Sequence, residues 1–100
     1  MKSAVDPEAN QPTSRLLLFV AGDSPNSVAA LENLRLAIED QGAEHFRLEI
    51  VDVFVSPDRA LADQIIVTPT LLRVAPASSR RLIGDLSARS DLISFIKVQR

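Results

Sequence analysis

A short, continuous apolar stretch near the start of the chain constrains the fold most. It runs from Arg15 to Ala21 and stops at the Gly-Asp-Ser-Pro sequence of residues 22–25. The stretch is too short to span a membrane. It also lacks the alternation of polar and apolar residues that marks a strand with one solvent-exposed face. It therefore predicts a strand buried on both faces, which is typical of parallel sheets.

The next segment has the pattern of an amphipathic helix that ends at a glycine. Ser24 is placed to serve as the N-cap, and Pro25 is placed as the first helical residue. Gly42 occupies the position that glycine usually takes after a helix. The apolar residues with helical spacing are Val28, Leu31, Leu34 and Ile38, with Leu36 and Ala37 beside them.

A second strand follows this helix. We predict it over residues 46–55, with one exposed face in its first half, where charged and apolar residues alternate, and with a buried second half. Two strands joined by one helix in this order lie parallel, with a right-handed crossover. The first half of the chain is therefore a βαβ unit.

The second half of the chain consists of shorter segments. Ser56, Pro57 and Asp58 form a cap-like start for a short helix over residues 58–62. Residues 65–67 are an apolar link. The stretch 61–67 would either extend as helix or pair as a strand, because short apolar runs do not distinguish the two.

A hairpin and a last helix complete the predicted order, βαβαββα. Strands are expected over residues 71–74 and 81–83, with a turn at residues 75–79 between them. Ser87 or Ser90 would cap the last helix. Its expected apolar residues are Leu92, Ile93, Phe95 and Ile96.

Length and composition exclude several classes of function. One hundred residues form one domain, which we place at residues 14–100 after a disordered polar tail at residues 1–13. The absence of cysteine excludes disulfides, thiolate metal sites and thiol redox chemistry, and it fits a cytoplasmic protein. A net charge of −2 and only four aromatic residues argue against nucleic-acid binding.

Single polar residues give no convincing catalytic site. His45 has no recognisable partners for metal binding or catalysis, so we expect an ordinary loop histidine. Ser24 and Ser27 would be nucleophiles only beside a base. Asp52 is either a hydrogen-bonded structural aspartate or a proton-transfer group, and without a thiol the structural role is favoured. We therefore predict no catalytic residue, no metal and no cofactor.

The order of elements resembles that of the thioredoxin-like proteins. In that layout a Thr-Pro step with a cis peptide bond precedes the third strand, and Thr68-Pro69 occupies this place. The thioredoxin redox pair would fall on residues 24–27, which are Ser-Pro-Asn-Ser and cannot exchange thiols. The resemblance implies the scaffold without the enzyme.

Five blocks of sequence resemble the KaiB family and occur in that family's order. They are residues 18–27 (LFVAGDSPNS), 50–53 (IVDV), 56–57 (SP), 65–71 (IIVTPTL) and 80–87 (RRLIGDLS). The resemblance implies a non-catalytic clock or timing protein that binds a KaiC-type ATPase and modulates its phosphorylation or ATPase cycle. It implies neither nucleic-acid nor membrane binding.

The same resemblance implies a second arrangement of the chain. In the resting form of the family the element order is βαββααβ, and the protein is a homo-oligomer, a dimer or a tetramer. The part that differs corresponds to residues 56–96, and two such packings differ by only a few kcal/mol. A SasA-like kinase, whose sensor domain shares the scaffold, would compete for the ATPase.

One departure from the family pattern concerns the partner KaiA. Glu49 stands where the family commonly has lysine, on the strand edge to which KaiA pairs. Binding of KaiA is therefore doubtful. The alternatives are a thioredoxin-like stress-response or signalling adaptor and the sensor domain of a SasA-like kinase. The residues expected to contact a partner are Ser56, Pro57, Asp58, Ile65, Pro69, Arg81, Gly84 and Asp85, whereas Ser24, Pro25, Asp52 and Thr68 are expected to be structural.

Overall fold

The element order in the computed structural model is the predicted βαβαββα. The structure describes residues 14–75 and 80–97, so the predicted tail at residues 1–13 and most of the predicted turn at residues 75–79 lie outside it. A 3-10 turn, Ala43–His45, precedes the second strand. The elements are β1 (Ser14–Val20), α1 (Pro25–Gln41), β2 (Phe46–Asp52), α2 (Pro57–Ala62), β3 (Thr70–Ala75), β4 (Arg80–Ile83) and α3 (Arg89–Ile96).

The four strands form one mixed sheet in the order β2-β1-β3-β4. Strand β1 pairs parallel with β2 and antiparallel with β3, and β4 pairs antiparallel with β3. Residues 16–20 of β1 are buried, which confirms the predicted strand with two covered faces. Strands β2 and β4 form the two edges of the sheet.

Side chains that alternate along the central strands form a core on each face of the sheet. Leu16, Leu18 and Leu71 belong to the larger core, which α1 and α3 cover. Leu17 and Phe19 belong to the smaller core, which includes Ala60 of α2. The short helix α2 contributes this single buried residue, and it covers its face of the sheet less completely.

The buried face of α1 differs from the predicted one. Leu34, Ala37 and Ile38 are buried as expected, but Val28 and Leu36 are about half exposed. The face that meets the sheet also carries Ser27 and Ala30, whose small side chains let the helix backbone approach the strands closely. The prediction that Val28 faces the core was wrong because the larger apolar residues do not all lie on one stripe.

Strand β2 ends three residues earlier than predicted. Asp52 accepts backbone hydrogen bonds from Val55 (3.0 Å) and Ser56 (2.9 Å), which close a turn after the strand. Phe54 and Val55 are consequently exposed by 75% and 77%. The prediction of a buried second half of this strand was wrong, since only Val51 is fully buried there and Val53 packs half-buried against the smaller core.

The start of the last helix also differs from the prediction. Helix α3 follows Ala88, so neither Ser87 nor Ser90 is its N-cap. Ser87 instead lies in the preceding turn, where its N–H donates to the carboxylate of Asp85 at 3.0 Å. The expected apolar residues still pack, and Leu92, Phe95 and Ile96 are buried.

Candidate protein-interaction surface

Four loops meet at one end of the sheet. Strands β1 and β2 are parallel and end together, and the N–H of Val53 donates to the carbonyl of Val20 at 2.9 Å. Thr70, the first residue of β3, lies opposite both Phe19 near the end of β1 and Ile83 at the end of β4. The segments that follow β1, β2 and β4 and the segment that precedes β3 therefore share this end.

Asp52 connects two of these loops. Its Oδ1 accepts hydrogen bonds from the N–H of Gly22 (3.1 Å) and from the N–H of Phe54 (2.9 Å). A carboxylate that accepts two backbone hydrogen bonds satisfies donors that would otherwise lack partners at the strand ends. These contacts favour the structural interpretation of Asp52 over a role in proton transfer.

The start of α1 is held by a pair of serines. Ser24 and Pro25 occupy the predicted N-cap and first helical positions, but the Ser24 side chain does not cap the helix. Its Oγ lies 2.9 Å from Oγ of Ser27, which accepts a hydrogen bond from the N–H of Ala21 at 3.1 Å. His45 precedes β2 and so lies at the opposite end of the sheet, where it provides no base for either serine.

The predicted cis bond is present at Thr68-Pro69. The carbonyl of Pro69 accepts a hydrogen bond from the N–H of Gly84 at 3.0 Å. Gly84 has a φ of 116°, which suits glycine alone, and no atom lies close to its missing side chain. Pro69 itself is fully buried, so it positions this surface and offers no side chain to a partner.

Asp85 joins the end of β4 to α1. Its carbonyl accepts a hydrogen bond from the side-chain amide of Asn33 at 2.9 Å. Hydrogen bonds from the side chain and the backbone of Ser87 lower the pKa of the Asp85 carboxyl. The carboxylate therefore keeps its charge at neutral pH and below.

Arg81 positions the loop between α2 and β3. Its two terminal nitrogens donate to the carbonyls of Asp63 (3.0 Å) and Gln64 (3.1 Å). The expected contact of Arg81 with a partner thus competes with these internal hydrogen bonds. Arg80 points elsewhere, with its guanidinium carbon 5.6 Å from the centre of the Phe95 ring.

Large apolar side chains are exposed around this end of the sheet. Ile66 is exposed by 91% and Ile83 by 59%, and the mostly exposed Phe54 ring lies 3.6 Å from the position of a Cβ on Gly22. Soluble domains rarely leave such a group uncovered unless it binds something. We call the group formed by Phe54, Val55, Ile66, Val67 and Ile83 the docking surface.

The predicted contact residues surround this docking surface. Pro57 and Asp58 are exposed and Ser56 is half-buried at the start of α2, whereas Ile65 packs against the smaller core. The sequence prediction missed the exposed apolar residues, Phe54 and Ile66 above all. The signal was available, because apolar residues directly before Ser56-Pro57 and after a six-residue helix have little chain to cover them.

An ion pair joins α2 to the edge strand β2. Arg59 contacts the Glu49 carboxylate with both terminal nitrogens, and the Nη2–Oε1 distance is 3.2 Å. The hydrogen bond from Arg59 lowers the pKa of Glu49, and the same bond raises the pKa of Arg59. The acid that distinguishes this edge is therefore already paired within the chain.

Across residues 14–75 and 80–97, no three His, Asp or Glu side chains are grouped so that they would hold a metal ion. In the same ranges, no helix has the length and apolar character needed to cross a membrane.

Solved structures with this fold include thioredoxins and the N-terminal domain of SasA. The N-terminal domain of SasA from Synechococcus elongatus superposes with a TM-score of 0.73 and 22% identity, over 93% of this chain and 88% of that one. Chloroplastic thioredoxin z gives a TM-score of 0.72 at 18% identity, over 88% of this chain and 79% of that one. These similarities establish the thioredoxin-like fold.

Sequence comparison is more specific. "Circadian clock oscillator protein KaiB" from Prochlorococcus marinus (strain MIT 9313) is 44% identical over 78% of this chain and 66% of its own length. The protein of that name from Synechococcus sp. (strain ATCC 27144 / PCC 6301 / SAUG 1402/1) is 46% identical over 78% of this chain and 76% of its own length. The KaiB domain model matches residues 17–97, and this chain therefore belongs to the KaiB family of circadian clock proteins.

Proposed function

We propose that this chain is a non-catalytic, cytoplasmic clock protein that binds a KaiC-type ATPase through the docking surface and modulates its phosphorylation or ATPase cycle. The exposure of Phe54, Ile66 and Ile83 at one end of a well-packed sheet carries the proposal. These side chains have no partner surface within the described residues, and the family to which the chain belongs supplies the class of partner.

The energetics favour a protein partner. Burying one large apolar side chain contributes about 1.5–3 kcal/mol, so three of them offset much of the entropic cost of association. Apolar side chains surrounded by polar ones are also the usual composition of a protein interface. Here the surrounding polar residues include Asp58, Asp63 and Asp85.

The backbone under the docking surface is held in place. Arg81 binds the carbonyls that precede Ile65, and the N–H of Ile65 donates to the carbonyl of Ala60 at 2.8 Å. Gly84 is tied to Pro69 on the other side. Once the chain has this arrangement, its docking surface is already ordered and loses less conformational entropy on binding.

The proposal includes a resting arrangement with different packing of residues 56–96, in a dimer or tetramer. Two features support it. Helix α2 has six residues and one buried side chain, and β4 has four residues, none of them fully buried. Elements with so few buried contacts are stabilised weakly, and a partner that binds one arrangement shifts the population toward it.

Two other proteins enter the proposal. A SasA-like kinase would compete for the same ATPase, since its sensor domain has the same fold. KaiA binding at the β2 edge is disfavoured here, because Glu49 replaces the usual lysine and is paired with Arg59. Pairing of KaiA at this edge would have to tolerate that acid.

Binding is tested by size-exclusion chromatography of the chain mixed overnight with its cognate KaiC-type ATPase, with ATP and with ADP. We expect co-elution that Ile66→Asp and Ile83→Asp abolish. Leu36→Asp is the matched control, because Leu36 is similarly exposed but lies about 16 Å along α1 from its start. Failure of the wild-type chain to co-elute with either nucleotide would contradict the proposal. So would equal binding by all three variants.

A further inference from the structure

Two arginines that form no ion pair with any other described residue lie at the end of the sheet opposite the docking surface. Arg73 on β3 and Arg80 on β4 are directly opposite each other in the antiparallel register. Both guanidinium groups lie over the ring of Phe95 in α3, at 5.9 Å and 5.6 Å from its centre. Like charges placed opposite each other on neighbouring strands repel, so this arrangement calls for a neutralising group.

Because Arg73 is buried, leaving its charge without an anion costs more free energy than it would at an exposed position. Arg73 is only 4% exposed, and its Nε is buried without a hydrogen-bond partner among the described residues. Within residues 14–75 and 80–97, neither Arg73 nor Arg80 forms an ion pair. Buried charges in proteins are normally paired, and a cation–π contact with Phe95 satisfies none of the N–H donors.

Ser14 adds a second unsatisfied polar group on the same face. Its Oγ is buried and has no hydrogen-bond partner in the part of the chain that the structure describes. Ser14 lies two residues before Leu16, which pairs with Arg73, and side chains two apart on a strand share a face. An unsatisfied hydroxyl therefore lies on the same face of the sheet as the buried guanidinium.

We propose that Arg73, Arg80 and Ser14 form a binding site for an oxyanion. A carboxylate or a phosphate has oxygens that match the paired N–H donors of a guanidinium, and the serine hydroxyl provides one more donor. Arg80 is exposed, so an anion reaches the site from solvent on its side of the pair. The site is at the opposite end of the sheet from the docking surface, because Arg73 and Arg80 pair at the far end of the β3–β4 ladder from Thr70 and Ile83.

The oxyanion has two possible sources. One is a free anion such as inorganic phosphate. The other is a carboxylate of the segment that precedes Ser14, in which Asp6 and Glu8 lie eight and six residues upstream. An extended chain of eight residues reaches up to about 26 Å, so the segment before Ser14 has the reach to bring the carboxylate of Asp6 or Glu8 toward the arginines.

Thermal unfolding in phosphate and in chloride at matched ionic strength tests the site. At a phosphate concentration roughly ten times the Kd, we expect the midpoint to rise by about 7 °C for the wild-type chain. Arg73→Met, which fills the same space without charge, removes this phosphate-specific rise. Arg35→Met on the exposed face of α1 is the control and retains it.

The two sources are separated with the double variant Asp6→Asn/Glu8→Gln. If the chain's own acids occupy the site, the wild-type protein responds weakly to phosphate and the double variant responds strongly. If a free anion is the ligand, both respond alike. Absence of a phosphate-specific rise in both proteins overturns the proposal.

An NMR measurement on the wild-type chain covers the case in which Arg73→Met fails to fold. The Nε–Hε signal of Arg73 should shift on addition of phosphate, because a hydrogen bond forms at a donor that now has none. The corresponding signal of Arg35 should stay in place. Equal small shifts of both signals would contradict a specific site.

Discussion

The carboxylate of Asp52 accepts a hydrogen bond from the N–H of Gly22 at 3.1 Å, across the ends of two parallel strands. The same oxygen accepts from the N–H of Phe54 at 2.9 Å. One side chain thus fixes the loop after β1 and the turn after β2, and the second of these carries part of the docking surface. The shape of the docking surface therefore depends on the Asp52 carboxylate, although a partner need not contact that carboxylate.

Removal of the Asp52 carboxylate should destabilise the fold. Asp52→Ala leaves two backbone donors without their acceptor, and we expect a loss of about 1–3 kcal/mol in the free energy of unfolding. Asp52→Asn keeps an oxygen in place and should lose much less. Urea unfolding of the three proteins measures this, and equal losses for the two variants would show that charge, not hydrogen bonding, matters.

Arg81 should control the mobility of the loop between α2 and β3. In Arg81→Lys the two-pronged contact with the carbonyls of Asp63 and Gln64 is lost, because an ammonium group cannot reproduce the guanidinium geometry. We expect faster hydrogen exchange of the Ile65 amide. Arg80→Lys, which changes the neighbouring arginine, should leave that amide unchanged; similar acceleration in both variants would refute the assignment.

The ion pair of Glu49 and Arg59 should make the free energy of unfolding depend on pH in the acidic range. Because Arg59 lowers the pKa of Glu49 in the folded chain below its ordinary value of 4.5, the pair stabilises above pH 4.5. This contribution is lost as the pH falls from 4.5 through the lowered pKa. The stability difference between wild type and Glu49→Gln should therefore shrink between about pH 5 and pH 3 and also shrink in high salt. A stability difference that stays constant with pH and salt would contradict a stabilising ion pair between Glu49 and Arg59.

Two leucines of α1 should behave differently although they are two residues apart. Leu34 is fully buried between the helix and the sheet, whereas Leu36 is about half exposed. Leu34→Ala should lower the free energy of unfolding by about 2–5 kcal/mol, and Leu36→Ala by less than about 1 kcal/mol. Thermal unfolding of both variants checks this. Comparable losses would mean that the helix is rotated relative to its described position.

Local sequence patterns were sufficient for the order of the elements. The uniform apolar run of β1 and the glycine after α1 mark their boundaries, since burial on two faces and helix termination each have a strong local signature. Thr68-Pro69 was placed correctly before β3 through its resemblance to thioredoxin-like proteins. These features depend on residues close together in the chain.

The sequence predictions were wrong where contacts between residues far apart in the chain determine the structure. The end of β2 depends on hydrogen bonds to Asp52, including one from Gly22 thirty residues away, so an apolar run that continues to Val55 was misassigned. The burial of Arg73 under Phe95 was missed for the same reason, because no local pattern indicates that an arginine faces the core. The docking surface was only partly predicted, since exposure of Ile66 depends on how little of the sheet α2 covers.

Methyl cross-saturation in the complex with the cognate KaiC-type ATPase tests the central claim most directly. With the ATPase irradiated and the deuterated chain observed, we predict the largest intensity losses at the methyl groups of Ile66, Ile83 and Val55. The methyl signals of Leu36 on α1 and Ile93 on α3, the helices that cover the larger core, should lose little intensity. Losses centred on those two helices, or the absence of any complex, would contradict the assignment of this end of the sheet as the surface that binds the ATPase.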